Sequence, residues 1–222
     1  YNELEIVTKA FEKSTSKLMV GFNRRFAPVS IAIKKEFKNI GEPKVINIRV
    51  NAGFIPKEHW TQNDSLGGGR VIGEMCHFID LMQFFTESEP VKVYAECIET
   101  PNTKLKPDDN IAIIVKFKNG SIGNLTYLAN GCKSLPKEQI EIFSGGKTGR
   151  IHDFRSGEIH KNNKITKLKL DGKGHRQEVQ EFMNSLTNGK TEPPISFDSI
   201  RLTTLTTFKI LDSISTGLPQ SL

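Results

Sequence analysis

HWTQNDSLGGGRVIGEMCHFIDLMQFF, residues His59–Phe85, decides how the rest of the chain is read. Three consecutive glycines (Gly67, Gly68, Gly69) separate a polar loop from an apolar run. Val71, Met75, Phe78, Met82 and Phe85 recur at helical spacing, and Ile72, Ile79 and Leu81 widen the stripe. The pattern predicts a helix running to about Thr86. Glu74, His77 and Asp80 fall three residues apart and should share one flank of it. Two carboxylates and an imidazole after a glycine-rich helix start are the best candidate chemistry in the chain. The glycines let a ligand or another backbone approach closely, and a helix N-terminus offers free N–H groups with partial positive charge. The plainer reading is a core histidine, a carboxylate on a backbone donor and a flexible turn.

Working outward, 222 residues allow one large domain or two small ones, and 36% hydrophobic with 25% charged residues suits a globular chain with a real core. No apolar run approaches the roughly 20 residues of a membrane span. The chain starts at Tyr1, already within a helical pattern and without a signal-peptide pattern, and so reads as part of a longer protein. Cys76, Cys97 and Cys132 are odd in number and lack CxxC spacing, which fits a reducing cytoplasm. A net charge of +6 is spread over scattered lysines, without an arginine-rich arm, zinc-finger spacing or RNA-binding aromatic signature. That argues against nucleic acid and suits an anionic small substrate equally well.

Upstream, residues 2–14 predict an amphipathic helix with Leu4, Val7 and Phe11 on one side, and 17–22 a short buried strand. Asn23, Arg24 and Arg25 follow at the strand end, where α/β proteins place ligand groups, or form a plain solvated loop. A helix is expected over 29–38 with Pro28 in its first turn, then a strand over 44–51. Trp60, the only tryptophan, is either a substrate platform or a plug over the core. Downstream, strands are expected over 91–99, 111–117, 121–128, 139–143, 149–153 and 165–170, with an Asn119-Gly120 hairpin. Two helices close the chain: 175–188, with Val179, Phe182, Met183 and Leu186 inward, and 198–216, capped by Ser196 or Asp198. The fold class is therefore α+β, a large open and mostly antiparallel sheet with helices on one face. The other face should be partly apolar, a candidate oligomer surface.

Two motifs fail. Ser144–Thr148 lacks the first Walker glycine, since Glu141 stands there, and the triple glycine misses GxGxxG because Ile72 takes the last position. His152 and His160 have no ligand spacing, so no metal site is assigned.

GFNRRFAP (21–28), HW…D…GGG (59–69) and CHFIDL (76–81), in that order, resemble the C-terminal half of the glucose–fructose oxidoreductase / inositol dehydrogenase (Gfo/Idh/MocA) family. PKEQIEIF (136–143) and DGKGH (171–175) resemble its sugar-nucleotide and polysaccharide-biosynthesis branch. The resemblance implies an N-terminal Rossmann domain that binds NAD or NADP, absent here. It also implies a C-terminal α/β domain that supplies the substrate pocket and a homo-oligomer interface. On that division, residues 1–22 are a remnant of the last Rossmann helix with its connecting strand, and 23–222 are the substrate and oligomerisation domain. His77 matches the family's general acid/base at the sugar hydroxyl, a role apt for imidazole near neutral pH. Asn23 and Arg25 match cleft-lining positions and Trp60 the aromatic before the glycines. Many members carry Asp four residues before the histidine. Gly73 stands there, and Glu74 beside it is the candidate replacement, about 100° around a helix. Lys173 and His175 are candidates for an anionic group.

The expected activity is thus the substrate half of an NAD(P)-dependent sugar or sugar-nucleotide dehydrogenase, with a small-molecule partner and neither nucleic acid nor membrane. Alone, the chain should neither bind the cofactor tightly nor turn over. Two other readings stand beside it: a non-catalytic binding or oligomerisation module, and a metal-assisted hydrolase using His59, Glu74 and His77.

Overall fold

Period-two alternation turns the middle of the chain into strands. The structure is a computed structural model that describes residues 1–63, 65–187 and 192–222. Among them, nine strands form one sheet: β1 Val45–Asn51, β2 Pro90–Cys97, β3 Ile111–Phe117, β4 Ile122–Leu128, β5 Glu138–Ser144, β6 Lys147–His152, β7 Ser156–Lys161, β8 Lys164–Leu168 and β9 Gln220–Ser221. Their order is β8-β7-β6-β5-β1-β4-β3-β2-β9. β1 pairs parallel with β4, and every other neighbouring pair is antiparallel. Ile46, Ile48 and Val50 of β1 and Ile140 and Ile142 of β5 face inward, while Asn47, Arg49, Gln139 and Glu141 alternate outward.

The helices are α1 Asn2–Glu12, α2 Pro28–Phe37, α3 Cys76–Thr86, α4 His175–Thr187 and α5 Phe197–Thr216. α2 covers β6 and β7, and α5 covers β2 and packs on α3. Phe78, Ile79, Leu81, Met82 and Phe85 of α3 are fully buried in the main core. At about 1.5–3 kcal/mol for each large apolar side chain removed from water, they hold α3 firmly against sheet and α5. Ser196 caps α5, its hydroxyl accepting from the Ser199 amide at 3.3 Å. The fold class is the expected one, with helices on one face of an open, mostly antiparallel sheet.

Four local expectations are corrected. Residues 17–22 pair with no strand: Phe22 turns into a small second core with Phe26, Ile195 and Ile200, while Leu18 and Val20 stay exposed. On α1, Leu4 and Phe11 face α5, where Phe11 stacks on Phe197 at 4.0 Å, but Val7 lies on the exposed side. On α4, Val179, Met183 and Leu186 are exposed and Phe182 is half-buried, because the helix packs on the polar turn at Asn23–Phe26 rather than on the sheet. The expected end of α4 at 188 lies outside the described residues, as does Asp64 of the glycine-loop motif. Lastly, β7 and β9 had no counterpart in the sequence reading; β7 carries one apolar inward residue, Ile159.

Candidate active site around His77

The loop before α3 folds back on itself. A Cβ at Gly67 would come within 2.5 Å of the Thr61 Cα and 2.7 Å of the Trp60 carbonyl, and Gly68 and Gly69 adopt φ of +68° and +73°. The glycines thus serve a close backbone-to-backbone approach. The loop presents Trp60 with 61% of its surface exposed, so this ring does not plug the core.

Val71–Met75 winds as a wide π-turn before α3 begins, a feature frequent at functional sites. The expected common flank of Glu74, His77 and Asp80 is broken. Glu74 turns toward β4 and the start of β5, where it accepts from the Tyr127 hydroxyl, from Lys137 Nζ at 2.6 Å and from Arg70 Nη2 at 3.2 Å. Asp80 is fully buried and takes a two-pronged pair from Arg25, with Nε at 2.8 Å. His77, half-buried, sets its ring edge-on to Phe22 at 5.7 Å. Its Nδ1 is sealed from solvent without a hydrogen-bond partner among the described residues, while the residue as a whole stays partly exposed.

A second set of charges includes Arg24 and Glu138, both of which act on the imidazole. Arg24 donates to Glu138 through Nε at 3.1 Å and Nη2 at 2.9 Å, and Lys173 Nζ reaches the same carboxylate at 2.8 Å. Asn23 Nδ2 donates to the Lys173 carbonyl at 2.7 Å. The Asn23–Phe26 turn, the start of β5 and the turn before α4 are thereby tied together at one end of the sheet.

Burial is the main reason His77 holds its proton poorly, at about 4, with the Arg24 charge adding to it against Glu74 and Glu138. The imidazole is therefore neutral at pH 7. Burial would push Glu74 up, but hydrogen bonds from Lys137 and Tyr127 and the Lys137 and Arg70 charges outweigh it and hold the carboxyl at about 2. Burial likewise opposes ionisation of Glu138, and Arg24 and Lys173 win, keeping it below the usual range. Asp80 is pushed up to about 6 by burial, against the pull of Arg25.

Of the residues expected at the site, Asn23 and Lys173 are brought into contact. Glu74 is saturated by its own partners, Arg25 is committed to Asp80, and Trp60 stands free at the loop. Among the described residues, no three His, Cys, Asp or Glu side chains are placed to hold a metal, so His59, Glu74 and His77 do not assemble the hydrolase arrangement. His59 instead contacts the Thr61 hydroxyl at 2.9 Å. Sequence reading named Arg24 only as part of the strand-end turn and missed Lys137, Glu138, Tyr127 and Arg70 as site groups. The signal for Lys137 and Glu138 lay in the PKEQIEIF block; for Tyr127 there was none, since an aromatic in a strand reads as core.

Residues 36–217 match the model of the oxidoreductase family, C-terminal alpha/beta domain, and the chain belongs to this Gfo/Idh/MocA family. Among curated proteins, inositol 2-dehydrogenase of Rhizobium meliloti (strain 1021) is 28% identical over 117 residues, 50% of this chain and 34% of the relative. The chain therefore spans about a third of that relative's length. Levoglucosan dehydrogenase, solved with NADH and levoglucosan, superposes with a TM-score of 0.84 at 16% identity, over 99% of this chain and 70% of its own. UDP-N-acetylglucosamine 3-dehydrogenase from Acidithiobacillus ferrooxidans gives 0.77 at 17% identity, over 97% and 67%. At these identities the two structures speak for the fold. No helix among the described residues is long and apolar enough to cross a membrane.

A dinucleotide does not fit the glycine run of this chain. The inner side of Gly67 is filled by the Thr61 and Trp60 backbone, and Gly69 faces Lys106 Nζ at 3.2 Å from its would-be Cβ. The Gly67 and Gly68 amides that could cradle a pyrophosphate donate instead to the Asn63 carbonyl, at 2.8 and 3.1 Å.

Proposed function

We propose that the chain is the substrate-binding half of an NAD(P)-dependent oxidoreductase acting on a CH–OH group of a sugar or sugar nucleotide, with His77 as general acid/base. The observation that carries this reading is the neutral, half-buried imidazole with its Nδ1 sealed from solvent, set among fixed charges. Oxidation of an alcohol removes a hydroxyl proton and a carbon-bound hydride. A nicotinamide cofactor, when bound, would supply the acceptor for the hydride. Nε2 takes the proton, and Nδ1 carries the ring hydrogen meanwhile. Lys137 and Lys173 are half-exposed and retain N–H donors for substrate hydroxyls. Trp60 offers an apolar face for a sugar ring. Asn23, Arg25 and Glu74 act indirectly, by holding Lys173, α3 and Lys137.

Three free cysteines support a reducing, cytoplasmic setting. We place homo-oligomer contacts on the open sheet face, where Val45, Ile114, Phe143 and Ile165 are exposed.

A specific observation favours a non-catalytic module as the second reading. Gly73 supplies no carboxylate, Glu74 turns away, and His77 Nδ1 lacks the partner that usually orients a catalytic imidazole. Calorimetric titration of the intact protein with NAD and NADP, then with free and UDP-linked sugars, separates the two. Cofactor binding followed by sugar binding that weakens in Lys173→Ala supports the enzyme. Binding of neither points to the module.

A further inference from the structure

Glu138 opens β5 in line with Ile140 and Ile142, on the core face of the sheet, yet it is a carboxylate with 0% exposure. A charge so deeply buried is costly unless it is paired and hydrogen-bonded. The sheet does not ask for one, since the next two inward positions of the strand are isoleucines. What Glu138 does is collect two cations, and one of them, Arg24, acts on His77. Arg24, which it binds through two nitrogens, lies with its guanidinium carbon 4.4 Å from the ring centre of Phe78, the residue after His77. Lys173, which it binds at 2.8 Å, is the residue whose carbonyl Asn23 holds. A Cβ on the following Gly174 would strike the Asn23 carbonyl at 2.2 Å, so the two turns are pressed together.

We propose that Glu138 is a positioning residue for His77, fixing Arg24 beside the imidazole without itself touching substrate. This rests on the acid/base reading of His77. The charged groups bearing on His77 are Arg24 from the turn, Glu74 from the helix's own first turn, Glu138 from β5 and His175 from α4. Arg24 opposes protonation of the ring and Glu138 offsets Arg24. With the Glu138 charge removed, Arg24 acts unopposed and the ring should give up its proton more readily. With Arg24 removed, the ring should hold it better.

The intact protein, labelled with ring-carbon-13 histidine, is titrated by NMR as wild type, Glu138→Gln, Glu138→Asp, Arg24→Met and the Arg24→Met/Glu138→Gln pair. Glu138→Gln should lower the His77 midpoint by at least about half a pH unit, and Arg24→Met should raise it by a similar amount. Glu138→Asp should return it toward wild type. In the Arg24→Met background Glu138→Gln should keep the part that its own charge exerts on the ring and lose the part exerted by placing the arginine, so the two shifts should not add, and full additivity would overturn the positioning role. Equal His77 midpoints in all folded variants, with only the melting temperature changed, would overturn the proposal and leave an ordinary structural ion pair. If Glu138→Gln does not fold, Arg24→Met alone decides, an unmoved midpoint again overturning it. The readout needs no turnover, so loss of the acid/base reading in a His77→Ala assay would be seen separately.

Discussion

An imidazole that is half out of water gives the fold a pH dependence of definite sign. His77 titrates at about 4 in the folded chain against an ordinary 6.5, so the unfolded chain binds the proton more tightly. The stability it carries is present above pH 6.5 and is lost as pH falls toward 4. From pH 7 to pH 5 the loss attributable to this one group is about 2 kcal/mol. Glu74, held at about 2 against 4.5, adds a further loss only below pH 4.5. Asp80, pushed up to about 6, gains stability over the same fall and offsets part of this loss in wild type and variant alike. Urea denaturation at pH 7 and pH 5 should therefore show His77→Gln less weakened by acid than wild type, and an equal change in the two would mean that the ring is solvated. Asp80 makes a second residue-scale case. Arg25→Ala leaves its buried carboxylate alone and should cost about 3–5 kcal/mol, whereas Arg25→Met with Asp80→Leu should cost far less. The same melts measure both, and an additive double variant would contradict the pairing. His77 was legible as a candidate because an imidazole stands out on an apolar stripe. Its surroundings were not, because Arg24 and Glu138 lie more than a hundred residues apart in the chain and only the fold joins them.

Elements were legible where one face is apolar and the other polar. β1, β3 and β5 alternate cleanly and appear within a residue or two of their expected bounds. β7 did not, since Ser156–Lys161 has too few apolar residues to show a period; its hairpin to β8 is marked instead by Asn162 and Asn163 at φ of +51° and +56°. Residues 17–22 misled because an apolar run can supply one buried anchor, here Phe22, as well as a strand. The π-turn at Val71–Met75 was invisible, because apolar spacing cannot separate a wide turn from an α-helical one. That turn depends on the glycine loop behind it. Gly67→Ala must push the Thr61 and Trp60 backbone away and should cost on the order of 1–3 kcal/mol while loosening the loop that carries Trp60. Amide hydrogen exchange over 59–70 would register the loosening, and unchanged protection would contradict it.

For the whole molecule, the open sheet face is polar with a few exposed apolar residues. Val45 and Phe143 are direct partners across β1 and β5. If copies meet there, replacing both with Glu should lower the sedimenting mass of the intact protein to that of a monomer with its melting temperature nearly kept. An unchanged mass would move the contact elsewhere. The exposed apolar residues of α4 and α1 were not legible as such, since a helical stripe states only that something should cover it. The central claim is that His77 exchanges the substrate proton, and steady-state kinetics of His77→Ala against wild type tests it most directly, in the intact protein with a nicotinamide cofactor and a panel of sugars and sugar nucleotides. A fall in kcat/KM of about 10²–10⁴-fold with the fold intact is the expected result. A fall of less than about tenfold would contradict the claim, placing proton transfer on another group.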